Sequence, residues 1–456
     1  MNILMLFTPS LMDGVSSTPP MAIYYLSTIL QTHGHYVKVL DPSYIKKNIN
    51  FDGRIEDDLV IRGIMENIDI VGISANTGNW GTSNKMIRLI KAISPNVPIV
   101  VGGIHASYFD DHILKNCQVD FVIRGEGEVS LPMLLDVVGQ PEQYHKICNM
   151  SYREKSGKIV RTNGCESLGI DELEKFPFCN YNDLPKGEYL ALPLETSRGC
   201  KYNCIFCSVF YRKKWRGYSI ENVIEKIRNI HPQVHNKISN KKGVIMVDDC
   251  FSADPLRALK ILQIVDQENI DLSFMLECRI TDLLYPSFIE QLPKRLITQI
   301  QAGVETGYDE GLKRIRKGLT VKQLDQCGEA LNKHGLSKST LMSFIIGFPW
   351  ESLDNMIATV TTAAYLSRKY KIRSSISWLF FLPSNLWKEK QKYNVEVNGG
   401  TFDNPNWIVD EDTFYKMHPN VTPDILKIVE QAILNYKEKG VDLLHFNPSV
   451  FWSDSV

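Results

Sequence analysis

Glu195-Thr-Ser-Arg-Gly-Cys200-Lys-Tyr-Asn-Cys204-Ile-Phe-Cys207 lies near the middle of the chain and carries three cysteines at spacings of four and three. Protein thiolates usually bind all the irons of a cubane iron–sulfur cluster, so three thiolates leave one iron open to a small molecule. A structural zinc site needs a fourth nearby Cys or His, and the next ones are His231, His235 and Cys250. The spacing therefore favours an iron–sulfur cluster with an open position, with zinc as the alternative.

A strand-like segment precedes the cysteines and others follow at helix-length intervals. The candidate strands are Leu192–Thr196, Gly243–Val247, Leu272–Leu276, Ile297–Ala302, Thr340–Ile346 and Ser375–Phe381. Strands that alternate with helices predict a parallel sheet, and six such repeats suit a parallel barrel with its chemistry at the carboxyl ends of the strands. We therefore predict a partial (βα)6 barrel over residues 186–384 and a C-terminal extension over 385–456 that caps it.

The N-terminal part of the chain shows a similar alternation. Its candidate strands are Ile3–Phe7, Tyr36–Leu40, Ile68–Ser74, Ile99–Val101 and Phe121–Ile123. We predict an α/β domain over residues 1–135 with a doubly wound, Rossmann-like parallel sheet, whose ligand would bind at the carboxyl ends of the strands. Residues 136–185 are predicted to be a connector containing a hairpin with Gly157 at its turn.

Length and composition limit the function classes. The chain has 456 residues, of which 44% are hydrophobic and 23% charged, and its formal net charge is −1. This length predicts at least two domains. The charge gives no general attraction to nucleic acid, and no apolar run is long enough to span a bilayer. The N-terminus lacks the features of a signal peptide, so we expect a cytoplasmic protein.

The three-cysteine loop after the first strand of a βα barrel resembles the radical S-adenosylmethionine superfamily. The resemblance implies that Cys200, Cys204 and Cys207 hold a [4Fe–4S] cluster whose open iron binds S-adenosylmethionine. Reductive cleavage would release a 5′-deoxyadenosyl radical, with an electron donor such as flavodoxin or ferredoxin. The positions that would contact S-adenosylmethionine are Phe206, Asp248, Asp249, Arg279, Glu305 and Ser343.

The resemblance assigns a role to several of these residues, and for two of them a structural alternative stays open. Phe206 would pack on the adenine, the aspartates would meet the amino group, and Arg279 would pair with the carboxylate through its bidentate fork. Asp249 and Arg279 could instead form an ion pair that stabilises the barrel. No residue stands out as catalytic, and Tyr308, just past Gly303-Val-Glu-Thr-Gly307, is the one candidate.

The order of a parallel α/β domain, a connector and a radical barrel resembles the cobalamin-binding subclass of the superfamily. The matching strings are Val71-Gly-Ile-Ser74-Ala-Asn-Thr77, Val101-Gly-Gly-Ile-His105 and Val122-Ile-Arg-Gly125-Glu126-Gly-Glu128. The implied cobalamin-binding residues are Ser74, Thr77, Gly102, Gly103, His105, Gly125 and Glu126. The Asp-x-His-x-x-Gly loop that puts a histidine on cobalt in other cobalamin folds is absent. His105 is the nearest candidate for a cobalt ligand. Alternatively, it is a loop histidine that hydrogen-bonds to backbone groups.

These features lead to two hypotheses of function. The first is a cobalamin-dependent methyltransferase that acts on an unactivated carbon of a small molecule or natural-product intermediate. The alternative is a cobalamin-independent dehydratase, oxidase or rearrangement enzyme in which the N-terminal domain is a scaffold. An RNA-modifying methylthiotransferase is disfavoured because it needs a second cluster, and Cys117 is the only cysteine among the first 135 residues.

Overall fold

The computed structural model describes residues 1–10, 18–49, 55–164, 167–184, 188–238, 241–397 and 410–452. The chain forms two compact units: the first contains Met1–Leu190, and the second begins at Ala191. In the described residues, no helix is both long enough and apolar enough to cross a membrane.

The first unit is built on one sheet. Its strands are β1 (Asn2–Leu6), β2 (Tyr36–Leu40), β3 (Ile70–Ser74), β4 (Ile99–Gly102), β5 (Phe121–Ile123), β6 (Met150–Arg153) and β7 (Ile159–Arg161). Its helices are α1 (Met21–Thr32), α2 (Pro42–Asn48), α3 (Ile55–Met65), α4 (Trp80–Ile93), α5 (Ile104–Asn116), α6 (Ser130–Val137) and α7 (Ile170–Leu173). The strand order is β2-β1-β3-β4-β5-β6-β7.

The first five strands are parallel, which confirms the predicted sheet. All five residues of β3 are buried, as expected of a parallel strand covered on both faces. The core contains apolar side chains from β1, β3 and β4 together with Trp80, Ile87 and Ile113 from the helices.

The predicted connector contributes to this same sheet. β6 and β7 form an antiparallel pair beside β5, and Gly157 has a φ of +85° in the turn between them. Asp110 of α5 is 2% exposed and binds both strands: Ser151 Oγ donates to it at 2.6 Å, and Arg161 Nη2 donates at 2.6 Å. This buried carboxylate fastens the hairpin to the first unit.

The second unit contains the predicted barrel strands. Its strands are β8 (Leu192–Leu194), β9 (Ser197–Arg198), β10 (Arg216–Gly217), β11 (Lys237–Ile238), β12 (Lys241–Met246), β13 (Leu272–Arg279), β14 (Ile297–Glu305), β15 (Thr340–Ile346), β16 (Arg373–Trp378) and β17 (Leu443–His445). Strands β8, β12, β13, β14, β15, β16 and β17 pair in that order and run parallel.

Helices follow the barrel strands as the alternation predicts. They are α8 (Ile220–Ile230), α9 (Pro255–Gln267), α10 (Ile280–Leu283), α11 (Phe288–Gln291), α12 (Asp309–Arg314), α13 (Val321–Lys333), α14 (Leu353–Tyr370), α15 (Asn385–Lys388), α16 (Glu411–Met417) and α17 (Pro423–Glu438). The tail adds β17 to the edge of the sheet beside β16, which the sequence did not predict. Along β15, buried and partly exposed residues alternate, because successive side chains of a strand point to opposite faces.

Candidate cluster and cofactor site

The three-cysteine loop folds back on the segment around Tyr211. Cys200 N donates to Tyr211 O at 3.2 Å, and Arg212 Nη1 donates to Cys207 O at 2.6 Å. Gly199 has a φ of +78°, and a Cβ there would collide with the carbonyl of Lys214. A glycine is therefore required at the start of the loop, for both its conformation and its contacts.

The middle of the loop is held from two sides by later parts of the chain. Ile205 N donates to Ile315 O at 3.1 Å, and Leu386 N donates to Ile205 O at 2.7 Å. Asn385 Nδ2 also donates to Asn203 Oδ1 at 3.2 Å. These bonds fix the backbone between Cys204 and Cys207.

The loop forms one wall of a cavity of about 170 Å³ at the carboxyl ends of the barrel strands. The cavity brings together seven of the residues predicted from the sequence. These are Cys200, Cys204, Cys207, Phe206, Asp249, Arg279 and Glu305. The other lining residues are Tyr202, Arg212, Cys250, Glu277, Cys278, Gly303 and Lys317.

The thiols have the surroundings of cluster ligands. Burial raises the pKa of Cys207 to about 11 and also raises the pKa of Cys200, so both thiols keep their protons until a metal replaces them. Arg279, which is 6% exposed, donates from Nη1 to Cys204 Sγ at 3.3 Å. Hydrogen bonds to sulfur are among the contacts that tune iron–sulfur clusters. The donor set therefore fits a cluster.

The described residues contain no group of three or more His, Cys, Asp and Glu side chains arranged to hold a single metal ion. Cys200, Cys204 and Cys207 instead share the wall of a cavity.

Groups of both charges line the rest of the cavity. Lys317 Nζ lies 2.7 Å from Glu305 Oε1. Burial, and then the charge of Glu305, raise the pKa of Glu277 to about 7. Burial and the nearby Glu195 raise the pKa of Asp249 to about 6. S-adenosylmethionine carries an ammonium, a sulfonium and a carboxylate, so a wall with carboxyl groups and Arg279 suits it.

Three of the site residues predicted in the second unit do not line this cavity. Asp248 is 2% exposed and accepts hydrogen bonds from Thr196 N at 2.7 Å and Ser197 Oγ at 2.5 Å. It thus joins the ends of β8 and β12. Ser343 Oγ accepts from Ser375 Oγ of the neighbouring strand at 3.3 Å. Tyr308 Oη donates to Glu351 Oε1 at 3.2 Å.

Tyr308 therefore stabilises the loop around Gly347 and Glu351. Glu351 is 3% exposed and also accepts hydrogen bonds from Gly347 N at 2.8 Å and Phe348 N at 3.0 Å. The alternative interpretation of Asp249 and Arg279 as a barrel ion pair gains no support, because the described part of the chain shows no ion pair between them.

Sequence reasoning missed several cavity residues. Glu277 lies two residues before Arg279 on β13, so the two side chains share a face of the strand, and this spacing was a usable signal. Lys317 follows α12 in a turn that has no periodic pattern. Arg212 reaches the loop only because the chain folds back at Tyr211.

In the first unit, the predicted residues lie where β3, β4 and β5 end. Gly103 has a φ of +92°, and a Cβ there would lie 2.5 Å from Ala75 O. At Gly102 a Cβ would meet only Ile123 O, at 3.7 Å. Gly125 has a φ of +73°, and its N donates to Ser107 Oγ at 2.8 Å. The ends of β3 and β4 therefore approach each other closely, and glycine at 103 is needed for this approach.

His105 lies inside the first unit. It is 1% exposed, its ring stacks on Trp80 with centroids 4.8 Å apart, and Nδ1 lies 3.3 Å from Thr77 Oγ1. Burial lowers its pKa to about 3, so the ring is neutral. This packing suits a residue that holds the Thr77 loop to α5. Glu126 accepts a hydrogen bond from Leu168 N at 2.9 Å.

Comparisons with known proteins agree with both predicted domains. A family model described as the B12 binding domain matches residues 14–135, and one described as the radical SAM superfamily matches residues 194–363. An uncharacterized methyltransferase of Pyrococcus horikoshii is 31% identical over 369 residues, which cover 77% of this chain and 74% of that protein. The chain therefore belongs to the radical S-adenosylmethionine superfamily and, more particularly, to its group with a B12-binding domain.

More distant proteins also match most of the chain. The anaerobic magnesium-protoporphyrin IX monomethyl ester cyclase of Rubrivivax gelatinosus is 22% identical over 437 residues, which cover 92% of this chain and 73% of the cyclase. The radical S-adenosylmethionine methyltransferase TsrM of Kitasatospora setae, solved with cobalamin and a [4Fe–4S] cluster, superposes with a TM-score of 0.70. That match is 16% identical and covers 88% of this chain and 76% of TsrM. At this identity the likeness shows the fold.

Proposed function

We propose that this chain is a cobalamin-dependent radical S-adenosylmethionine methyltransferase that acts on an unactivated carbon of a small molecule. The observation that carries the proposal is the cavity in which three loop thiols meet Arg279 and a wall of carboxyl groups. The B12-type sheet in the same chain and the 31% identity to a protein named as a methyltransferase support methyl transfer.

Different lining residues would bind the cluster and S-adenosylmethionine. Cys200, Cys204 and Cys207 hold the cluster, and Arg279 donates to one of their sulfurs. Asp249 and Glu277, which line the same cavity, would accept hydrogen bonds from S-adenosylmethionine. With the cluster, S-adenosylmethionine and corrin bound, the available chemistry is one-electron cleavage of a sulfonium, hydrogen abstraction from carbon, and methyl transfer.

Aromatic side chains shape the floor of the cavity. Phe206 lines it and meets Phe348 edge to face, with centroids 5.7 Å apart. Phe348 is fully buried, so this pair is rigid and offers a flat apolar surface for the adenine. Packing of this kind also keeps water from a reactive radical.

In the first unit, Ser74, Thr77 and the glycines at 102, 103 and 125 would receive the corrin. His105 holds the Thr77 loop rather than the cobalt, because its ring is enclosed between α4 and α5. We also propose that a flavodoxin or ferredoxin supplies the electron. The location would be cytoplasmic, where thiols stay reduced.

Cluster binding is tested by iron and sulfide analysis of anaerobically reconstituted protein. Cys200→Ala, Cys204→Ala and Cys207→Ala should each lose most of the iron and the electron paramagnetic resonance signal of a [4Fe–4S] cluster. Cys250→Ala is the matched control: Cys250 lines the same cavity, but its Sγ lies 3.5 Å from Ser252 Oγ and 3.6 Å from Asp282 Oδ2. Equal iron loss in all four variants would contradict the assignment.

Methyl transfer is tested by the products. The loaded enzyme should bind hydroxocobalamin, and with an anaerobic metabolite extract it should form S-adenosylhomocysteine and 5′-deoxyadenosine together. S-adenosylmethionine with a deuterated methyl group should give a small molecule heavier by that group. Formation of 5′-deoxyadenosine alone, without cobalamin binding, would leave a radical enzyme but overturn the methyltransferase.

A further inference from the structure

Two segments of the second unit are unusually basic. Residues 310–316 and 388–393 together contain six basic and two acidic side chains, whereas the formal net charge of the whole chain is −1. We call the surface formed by the basic side chains the basic face. Its residues are Lys313, Arg314, Arg316, Lys388, Lys390 and Lys392.

The two segments form one surface because Arg314 joins them. Arg314 Nη2 donates to Tyr393 Oη at 3.3 Å, and its guanidinium lies 4.4 Å from the centroid of the Trp350 ring. Lys313, Lys388 and Lys392 are exposed. Among the described residues, only Lys392 of the basic face pairs with a carboxylate, Glu389, at 3.5 Å. The positive charge is therefore largely available to a partner.

The basic face lies directly behind the cysteine loop. Ile205 is bonded to Ile315 O of the first segment at 3.1 Å and to Leu386 N, two residues before the second segment, at 2.7 Å. Cys204 Sγ itself lies 4.0 Å from Arg316 O. One hydrogen bond or one contact thus separates the cluster ligands from the surface.

A second route runs through aromatic rings. Phe206 in the cavity contacts Phe348 at 5.7 Å between centroids. Phe348 stacks on Trp350 at 5.1 Å, and Trp350 contacts Tyr393 on the basic face at 5.8 Å. Continuous packing of this kind shortens the gaps across which an electron must tunnel.

We propose that an acidic electron-carrier protein, with a flavin or an iron–sulfur centre, docks on the basic face and passes one electron to the cluster. The carrier is oxidised by one electron, the cluster is reduced by one, and no atom is transferred. Electron-transfer complexes are weak and bury little area, so charge steering sets their rate and salt screens it. This inference rests on the proposed radical function.

Charge reversal tests the surface. The variant combines Lys313→Glu, Lys388→Glu and Lys392→Glu. The matched control, Lys322→Glu with Lys333→Glu and Lys338→Glu, changes the same charge at exposed positions in and after α13. An acidic flavodoxin, kept reduced by its NADPH-dependent reductase, reduces the loaded enzyme. The measured quantities are the rate of cluster reduction by stopped-flow absorbance and 5′-deoxyadenosine formation.

With flavodoxin at low salt, the basic-face variant should reduce its cluster at least about tenfold more slowly than the control. With dithionite and methyl viologen the two should be equal, since a small reductant needs no docking surface. If neither reductant yields 5′-deoxyadenosine in the parent enzyme, the radical function fails. If methyl viologen supports 5′-deoxyadenosine formation and both variants accept electrons from flavodoxin equally well, the proposed docking surface is wrong.

Carbodiimide cross-linking locates the partner without relying on activity. The reagent joins a lysine amine to a carboxylate with loss of water, so mass spectrometry of the flavodoxin adduct should find links at Lys313, Lys388, Lys390 or Lys392. The links should disappear at 500 mM NaCl. Salt-insensitive links confined to other lysines, or binding of RNA but not of flavodoxin to the same face, would overturn the proposal.

Discussion

Lys317 Nζ lies 2.7 Å from Glu305 Oε1, and the two side chains are only 7% and 12% exposed. Gly303 makes room for this pair, because a Cβ there would collide with the Glu305 carboxylate and lie 2.9 Å from Lys317 Nζ. Glu305 also has a φ of +81°, a conformation that a non-glycine residue adopts only when its surroundings hold it. The cavity wall is therefore built around a neutralised carboxylate.

Lys317→Met should destabilise the second unit by about 3 kcal/mol or more, because the charge of Glu305 would be left buried without its partner. Urea titration followed by hydrogen exchange of β13, β14 and β15 measures the change. The double variant Lys317→Met with Glu305→Gln should regain most of the lost stability. Two independent, additive losses would contradict the pairing.

Glu277 predicts a pH dependence of stability. Its pKa is about 7 in the folded protein, raised from 4.5 by burial and by Glu305. Between pH 4.5 and pH 7 the unfolded chain has released the proton that the folded protein still holds. The free energy of unfolding therefore falls as the pH rises through this range, by about 1.4 kcal/mol per pH unit. Glu277→Gln should therefore be more stable than the parent at pH 8, with a smaller difference at pH 5. Cofactor-free protein unfolded in urea at several pH values provides the measurement.

Neighbouring glycines in the first unit should respond differently to alanine. Gly103→Ala places a Cβ 2.5 Å from Ala75 O in a left-handed conformation, which should cost about 2 kcal/mol or more. Gly102→Ala adds a Cβ whose nearest contact is 3.7 Å away, so its effect should be small. Hydrogen exchange of β3 and β4 compares the two variants. Equal protection in both would show that the close approach at Ala75 is not needed.

His105 should not bind cobalt. Its ring is 1% exposed and stacked on Trp80, so coordination would require the helices around it to move. Cob(II)alamin bound to protein labelled with ¹⁵N-histidine should give the same electron paramagnetic resonance splitting as with unlabelled protein. A histidine coupling that disappears in His105→Asn would disprove this prediction.

The barrel strands were predictable because the strand-like segments, such as Thr340–Ile346, recur at helix-length intervals. The short strand β17 was not, because its three residues form a strand only against the edge of β16. The attachment of the hairpin depends on Asp110, which lies forty-one residues before Ser151 in sequence. Local patterns hold no information about such long-range partners.

The two aspartates after β12 show how far the site could be predicted from the sequence. The sequence places Asp248 and Asp249 together, but consecutive side chains point in different directions. Asp248 turns to Thr196 and Ser197, whereas Asp249 faces the cavity. Residue type and spacing identify the cluster ligands, since these share one loop, but the choice between adjacent polar residues depends on the folded geometry.

Ile205 also bears on how the enzyme matures. Its amide and carbonyl groups are bonded to Ile315 and Leu386, which the ribosome adds long after the cysteines. A nascent chain that ends before Leu386 therefore lacks one of the two anchors of its metal-binding loop. We expect iron delivery to wait until Leu386 has been synthesised, so that products truncated before this residue bind iron more weakly.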